Sequence, residues 1–228
     1  MTSAVIDIWL VDLDQPQERY KELSGWLSPD ETARAERFYQ SRHTHRWTVA
    51  HGALRGILAG YTETAPKEIG FNIGANGKPS LSSNQVEFNL SHSGSRAIVG
   101  VTTVAPLGVD IEHIRNINDM SAVAQRFFSP GEQRALRNLP VELRREGFFN
   151  CWTRKEAFIK ATGEGLQRSL DSFDVSLIPN APVVFESIDG DSVTAKQWTL
   201  NHFAVTTEYI GAMAIRWPAP VTIRRHEF

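Results

Sequence analysis

A chain of 228 residues, 41% hydrophobic and 22% charged, can bury a core of one large or two small domains without covalent staples. A formal net charge of −2 argues against a general nucleic-acid binder, and no apolar run approaches the roughly 18 residues of a membrane span. The single Cys151 excludes an internal disulfide and reads as a packing residue, while Met1-Thr2-Ser3-Ala4-Val5-Ile6-Asp7-Ile8 lacks the basic start of a secretory signal, so cytoplasmic residence is expected.

In chain order, Val5 to Leu10 predicts a strand. Ser28-Pro29-Asp30-Glu31 opens a helix, with Ser as N-cap, Pro at the first helical position and Glu closing a capping box, expected to run through Phe38. A longer helix follows from about His43 to Tyr61. Strands are expected near Phe71, over Val86 to Ser91 and Ala97 to Val104, and, after Pro106, over Leu107 to Glu112. Ser121 to Phe128 reads as a helix, Ser129-Pro130-Gly131-Glu132 repeats the earlier cap, and Gly147 to Ala161 forms a helix stopped by Gly163. Asp174 to Trp217 reads as short strands and turns. Strands interrupted by helices without regular βαβ spacing predict an α+β fold.

The chain also resembles itself. Arg37-Phe38-Tyr39-Gln40 precedes a helix carrying Trp47, His51 and Arg55; Arg126-Phe127-Phe128-Ser129 precedes one carrying Trp152, Glu156 and Lys160. Phe88-Asn89-Leu90-Ser91 likewise parallels Phe173-Asp174-Val175-Ser176. These matches predict two pseudo-symmetric halves, residues 1–104 and 105–228.

Three acids stand out. Asp110 and Glu112, two apart in Gly108-Val109-Asp110-Ile111-Glu112, share one face of an extended strand; Trp152, Glu156 and Lys160 share one face of a helix. Converging carboxylates at about 4 Å repel by about 4 kcal/mol at an effective dielectric of about 20. A hard divalent cation with oxygen ligands, magnesium before others, would resolve that repulsion, and Asp110, Glu112 and Glu156 are its expected ligands. Between Arg115 and Arg145 six arginines face three acids, which suits either an acidic protein partner or a solvated helical face.

Gly77-Lys78-Pro79, Phe88-Asn89-Leu90-Ser91-His92-Ser93, Gly108-Val109-Asp110-Ile111-Glu112, Arg126-Phe127-Phe128-Ser129 and Trp152-x-x-Lys155-Glu156-Ala157-Phe158-x-Lys160, in that order, closely resemble the 4′-phosphopantetheinyl transferases of the large, surfactin-synthetase-activating (Sfp) type. The resemblance runs from about Ser28 to Ser176. It implies two similar α+β halves in a monomeric pseudo-dimer, with the active site in the cleft between them. It also implies transfer of 4′-phosphopantetheine from coenzyme A to a serine of an apo acyl or peptidyl carrier protein, with magnesium as cofactor and 3′,5′-ADP released. Such carriers serve fatty-acid, polyketide and nonribosomal-peptide synthesis.

By the same resemblance Glu156, or a water it orients, takes the serine proton, and Lys160 neutralises the departing phosphate. Lys78, Ser91, His92, Arg46 and Arg34 are implied contacts of coenzyme A. Glu132 is either a further acid near the ion or a helix N-terminal acid. Glu31 and Trp47 depart from the pattern, standing where a lysine and a small hydroxyl residue are frequent. Carrier docking is implied for Arg115 to Phe128, with Ile117, Met120 and Val123 as apolar anchors. Two other readings remain: a catalytically silent module that binds coenzyme A or a carrier, and a metal-dependent phosphodiester hydrolase.

Overall fold

The computed structural model describes residues 4–83 and 85–228, with only the backbone of Leu166; Met1 to Ser3, part of the expected leaderless start, lie outside the described residues. The first half runs β1 (Ala4–Asp12), α1 (Gln17–Ser24), α2 (Pro29–Ala35), α3 (Ser41–Thr62), β2 (Phe71–Ile73), β3 (Pro79–Leu81), β4 (Glu87–Ser93) and β5 (Arg96–Thr102). The second runs β6 (Leu107–His113), α4 (Met120–Phe127), α5 (Pro130–Asn138), α6 (Val141–Thr162), β7 (Phe173–Val175), β8 (Phe185–Ile188), α7 (Ser192–Ala195), β9 (Thr199–Ala204) and β10 (Tyr209–Ile215), and the chain ends in β11 (Val221–Glu227). The main sheets have the orders β11-β1-β5-β4 and β6-β10-β9. With β11 set aside the two sheets share one connectivity, and β2-β3 and β7-β8 are matching small hairpins.

Local chemistry builds the halves alike. Ser28 and Ser129 each accept the backbone N–H three residues on, and Glu31 and Glu132 return the bond to the serine N–H at 2.8 Å, so both capping boxes form. Each glutamate then grips a base fourteen residues into the following long helix, counted from Ser41 to Arg55 in α3 and from Val141 to Lys155 in α6. Arg55 Nε lies 2.7 Å from Glu31, and its Nη1 donates to Pro66 O and Ile69 O. Lys155 Nζ lies 2.8 Å from Glu132 and donates to Leu170 O and Phe173 O. The two cations cover the rings of Phe71 and Phe173.

This correspondence corrects the register of the expected repeat. Arg55 matches Lys155 rather than Lys160, because helix ends and capping boxes align the halves and the tryptophans do not. Glu156 and Lys160 then match Gly56 and Gly60, so the acid and cation belong to one half alone. Phe173–Val175 matches Phe71–Ile73 rather than Phe88 to Ser91, since it pairs in the small hairpin.

Other boundaries move for physical reasons. α2 ends at Ala35 rather than Phe38, where the following aromatics Phe38 and Tyr39 are exposed and offer no face to bury. α6 starts at Val141, behind Pro140, six residues before Gly147; a Cβ on Gly147 would lie 2.4 Å from Leu139 Cδ1, so that glycine serves close packing inside the helix. α1, β3, β11 and the short α7, inside the stretch read as short strands and turns, were not anticipated. The expected division at residue 104 falls in the turn between β5 and β6, but β11 returns to pair in parallel with β1, from Ala4–Val221 to Leu10–Glu227. A shared core of Ile6, Ile8 and Ile98 with Val109, Ile111, Met213 and Ile215 joins the halves. Among the described residues no helix is long and apolar enough to cross a membrane.

Candidate active site

The site lies where β4 of one half meets β6 of the other. Alternation along β4 points Asn89, Ser91 and Ser93 to one side, and their side chains take the backbone N–H groups of Val109, Ile111 and His113 at 2.8, 3.3 and 3.2 Å. The paired numbers rise together, so the strands run parallel. Side chains stand in for a carbonyl ladder, which leaves the two sheets joined but spread apart. The serine hydroxyls donate onward, Ser91 to Asp110 at 2.9 Å and Ser93 to Glu112 at 2.8 Å. The spacing of two from Asn89 to Ser93 was the signal for this ladder, and only Ser91 of the three was singled out from the sequence.

The opposite wall is α6. Gly108 lets β6 rest on the helix backbone: a Cβ there would sit 2.0 Å from Ala157 O and 2.3 Å from Ala161 N. This contact brings Lys160 Nζ to 2.6 Å from Asp110 Oδ1 and 2.8 Å from Ser91 Oγ. The other oxygen of Asp110, Oδ2, is buried with no hydrogen-bond partner.

Electrostatics join the three acids. Burial raises the Asp110 carboxyl, partly offset by Lys160 and Ser91. Burial raises Glu112, and the Asp110 charge raises it further. Burial raises Glu156 as well, followed by the charge of Asp110 and, more weakly, that of Glu112, with Lys160 opposing. Among the described residues no group of three His, Cys, Asp or Glu stands close enough together to hold a metal ion. The donor chemistry nevertheless fits a hard cation, since three mutually repelling carboxylates are present and one buried carboxylate oxygen lacks a partner.

The remaining expected contacts divide. His92 is open to solvent on one side, yet protein crowds it enough that desolvation, then the charges of His51 and Lys160, lower its pKa. His51, not anticipated as a site residue, stacks on Trp47 with centroids 3.8 Å apart and puts Nδ1 3.8 Å from Glu31. Arg46 instead forms a two-pronged pair with Asp14 at 2.7 Å, and Arg34 lies over the Trp47 ring. Lys78 turns away from solvent onto Leu107 O and Ala161 O at 3.1 and 3.0 Å. Glu132 is fully engaged by Ser129, Val175 and Lys155. It is the helix N-terminal acid of the two alternatives. Ile117, Met120 and Val123 pack partly on the second-half core, leaving Arg115 and Arg126 exposed beside them.

Carboxylates, a lysine and hydroxyls converging where two α+β repeats meet make a site for handling phosphate groups. Residues 106–214 match the family model of the 4′-phosphopantetheinyl transferase superfamily. The chain is 36% identical over 219 residues to the 4′-phosphopantetheinyl transferase HetI of Nostoc sp., covering 94% of this chain and 89% of that one. It is 32% identical to psf-1 of Bacillus pumilus, over 94% and 89% of the two chains, and 31% identical to Sfp of Bacillus subtilis, over 81% and 83%. The chain belongs to the 4′-phosphopantetheinyl transferase superfamily, and it is an enzyme.

Proposed function

We propose that the protein moves 4′-phosphopantetheine from coenzyme A to a serine of an apo acyl or peptidyl carrier protein, working as a monomeric pseudo-dimer whose halves meet at the β4–β6 seam. The observation that carries this reading is the Asp110 carboxylate, held at Oδ1 by Lys160 and Ser91 and unpartnered at Oδ2, within the field of Glu112 and Glu156. Asp110, Glu112 and Glu156 would hold magnesium. When bound, the ion supplies positive charge against the pyrophosphate.

This chain's own residues account for the rest. Lys160 on α6 and His92 on β4, near enough that the His92 pKa, lowered chiefly by burial, is lowered further by the Lys160 charge, would receive phosphate oxygens and neutralise the charge that develops on them. The serine oxygen forms its bond to the β-phosphorus, and the bond from that phosphorus to the bridging oxygen breaks, the electron pair leaving with 3′,5′-ADP. Glu156, one turn from Lys160 on α6, would take the serine proton. The exposed arginines around α4 and α5 offer a basic rim to an acidic carrier.

The test is incubation with coenzyme A, magnesium and a panel of apo carriers, read by intact mass. A carrier should gain one phosphopantetheine group, and neither Asp110→Ala nor Glu156→Gln should support that gain while folding normally without metal. Coenzyme A cleaved with no carrier present would overturn the reading in favour of hydrolysis.

A further inference from the structure

Lys78 sits in the turn between β2 and β3 of the first half, a segment otherwise exposed and closed by Gly74 N–H to Lys78 O at 2.9 Å, with Gly77 at a φ of 85°. Its side chain leaves that half altogether. Nζ donates to Leu107 O, at the start of β6, and to Ala161 O, in the last turn of α6. Asn76 in the same turn donates to Gly163 O at 3.0 Å and accepts from Gln167 Nε2 at 3.0 Å. Helix α6 ends at Gly163 in the left-handed conformation, φ 71°, and its final carbonyls have no partners within the helix. A lysine and an amide from the other half therefore cap it, and a cation at a helix C-terminus is the favourable sign.

The two carbonyls gripped by Lys78 flank the contact on which the site depends. Leu107 precedes Gly108, where β6 touches α6, and Ala161 follows Lys160, whose ammonium reaches Asp110 at 2.6 Å. Burial lowers the Lys78 pKa, so the two carbonyl oxygens are what compensate the buried ammonium for its lost water.

We propose that Lys78 is a positioning residue that holds the Asp110-bearing strand and the Lys160-bearing helix at their working separation, rather than a group that binds coenzyme A. The proposal rests on the transferase reading above for its kinetic part only. With its ammonium shared between two backbone oxygens, Lys78 is spent on the scaffold, and the first half thereby sets the geometry of residues that all belong to the second.

The experiment compares Lys78→Met, Lys78→Arg and Asn76→Ala with the unaltered protein, by carrier labelling at varied coenzyme A and by amide hydrogen exchange without ligand. Lys78→Met should lower kcat at least tenfold, with KM for coenzyme A changed less than threefold. Lys78→Arg should recover part of kcat, and Asn76→Ala, an exposed change that leaves folding intact, should lower kcat modestly at the same KM. Exchange should speed up in the last turn of α6 and at the start of β6 while α3 stays protected. A tenfold rise in KM with kcat unchanged would make Lys78 a coenzyme A ligand and overturn the proposal, as would wild-type kinetics in Lys78→Met. If the unaltered protein labels no carrier, the transferase reading fails, and the exchange pattern alone decides the brace: unchanged exchange refutes it.

Discussion

Glu31 departs from the lysine that the family resemblance implies, and its neighbours give the acid a structural role here. The carboxylate closes the α2 capping box, pairs with buried Arg55 and faces His51, so three cationic or N–H donors converge on one acid. Burial pushes its pKa up, but the bonds from His51, the Ser28 N–H and Arg55 outweigh that and hold it at about 2, against an ordinary 4.5. A depressed folded-state pKa contributes stability that is complete above the unfolded value and is lost as pH falls through the folded one. The ceiling is about 3 kcal/mol, from about 1.4 kcal/mol per unit. Replacing Glu31 by Gln should therefore cost stability near neutral pH, with the gap from the wild type closing as the pH drops from 4.5 toward 2; urea unfolding at stepped pH measures it, and a gap independent of pH would refute the assignment. At this scale the sequence was partly readable. Period two and period four put Asp110 with Glu112 and Glu156 with Lys160 on shared faces, while the family resemblance, not spacing, marked Glu156 and Lys160 as more than a surface ion pair. The roles of Arg55 and Lys155 were not readable, because a basic residue on a helix ordinarily points to water and nothing local marks these two as 3% and 0% exposed.

Between β6 and α6 the decisive residue has no side chain. The Cβ of an alanine at Gly108 would overlap backbone atoms of Ala157, Lys160 and Ala161, none of which can swing aside as a side chain would. The strand must lift from the helix, which carries Asp110 away from Lys160. Gly108→Ala should therefore lose stability at or above the upper end of the about 1–3 kcal/mol typical of an overpacked core and lose carrier labelling as well. A variant with the wild-type denaturation midpoint would refute this close contact. The elements themselves were legible where their ends carry chemistry, as in the two Ser-Pro-x-Glu starts and the Gly163 stop. α1 escaped because Pro16 occupies its N-cap without a capping side chain. β11 escaped because Arg224, Arg225, His226 and Glu227 look like a solvated tail; their charges suit an edge strand, where alternate residues stay in water.

Across the whole molecule the repeat explains what β11 is for. Asp7 on β1 is the counterpart of Asp110 on β6: each is a buried acid on the first strand of its half, bonded to the last turns of the long helix, Asp7 to Tyr61 at 2.9 Å and Asp110 to Lys160. Beside β6 runs parallel β4 with its serines; beside β1 runs parallel β11, whose Arg224 and His226 reach Asp7 at 2.7 Å. One half keeps an acid with a free oxygen, and in the other the C-terminal strand fills the equivalent place with its own cations. The same strand ties the end of the chain to its start, and the apolar seam draws Ile6, Ile8 and Ile98 from one half and Val109, Ile111, Met213 and Ile215 from the other. Each half also has a core cluster of its own, but β1, β5 and β10 carry those cores on one face and the seam on the other, so opening the seam strips both and unfolding should be one transition despite the internal repeat. Circular dichroism and tryptophan fluorescence should give superimposable urea curves, and removal of residues 221–228 should lower the midpoint of that single curve, because Asp7 is then left buried without Arg224 and His226. If the shortened chain instead unfolded in two steps, with the α6-bearing half melting at the original midpoint, the halves would be independent domains, and a brace from one could not set the geometry of the other.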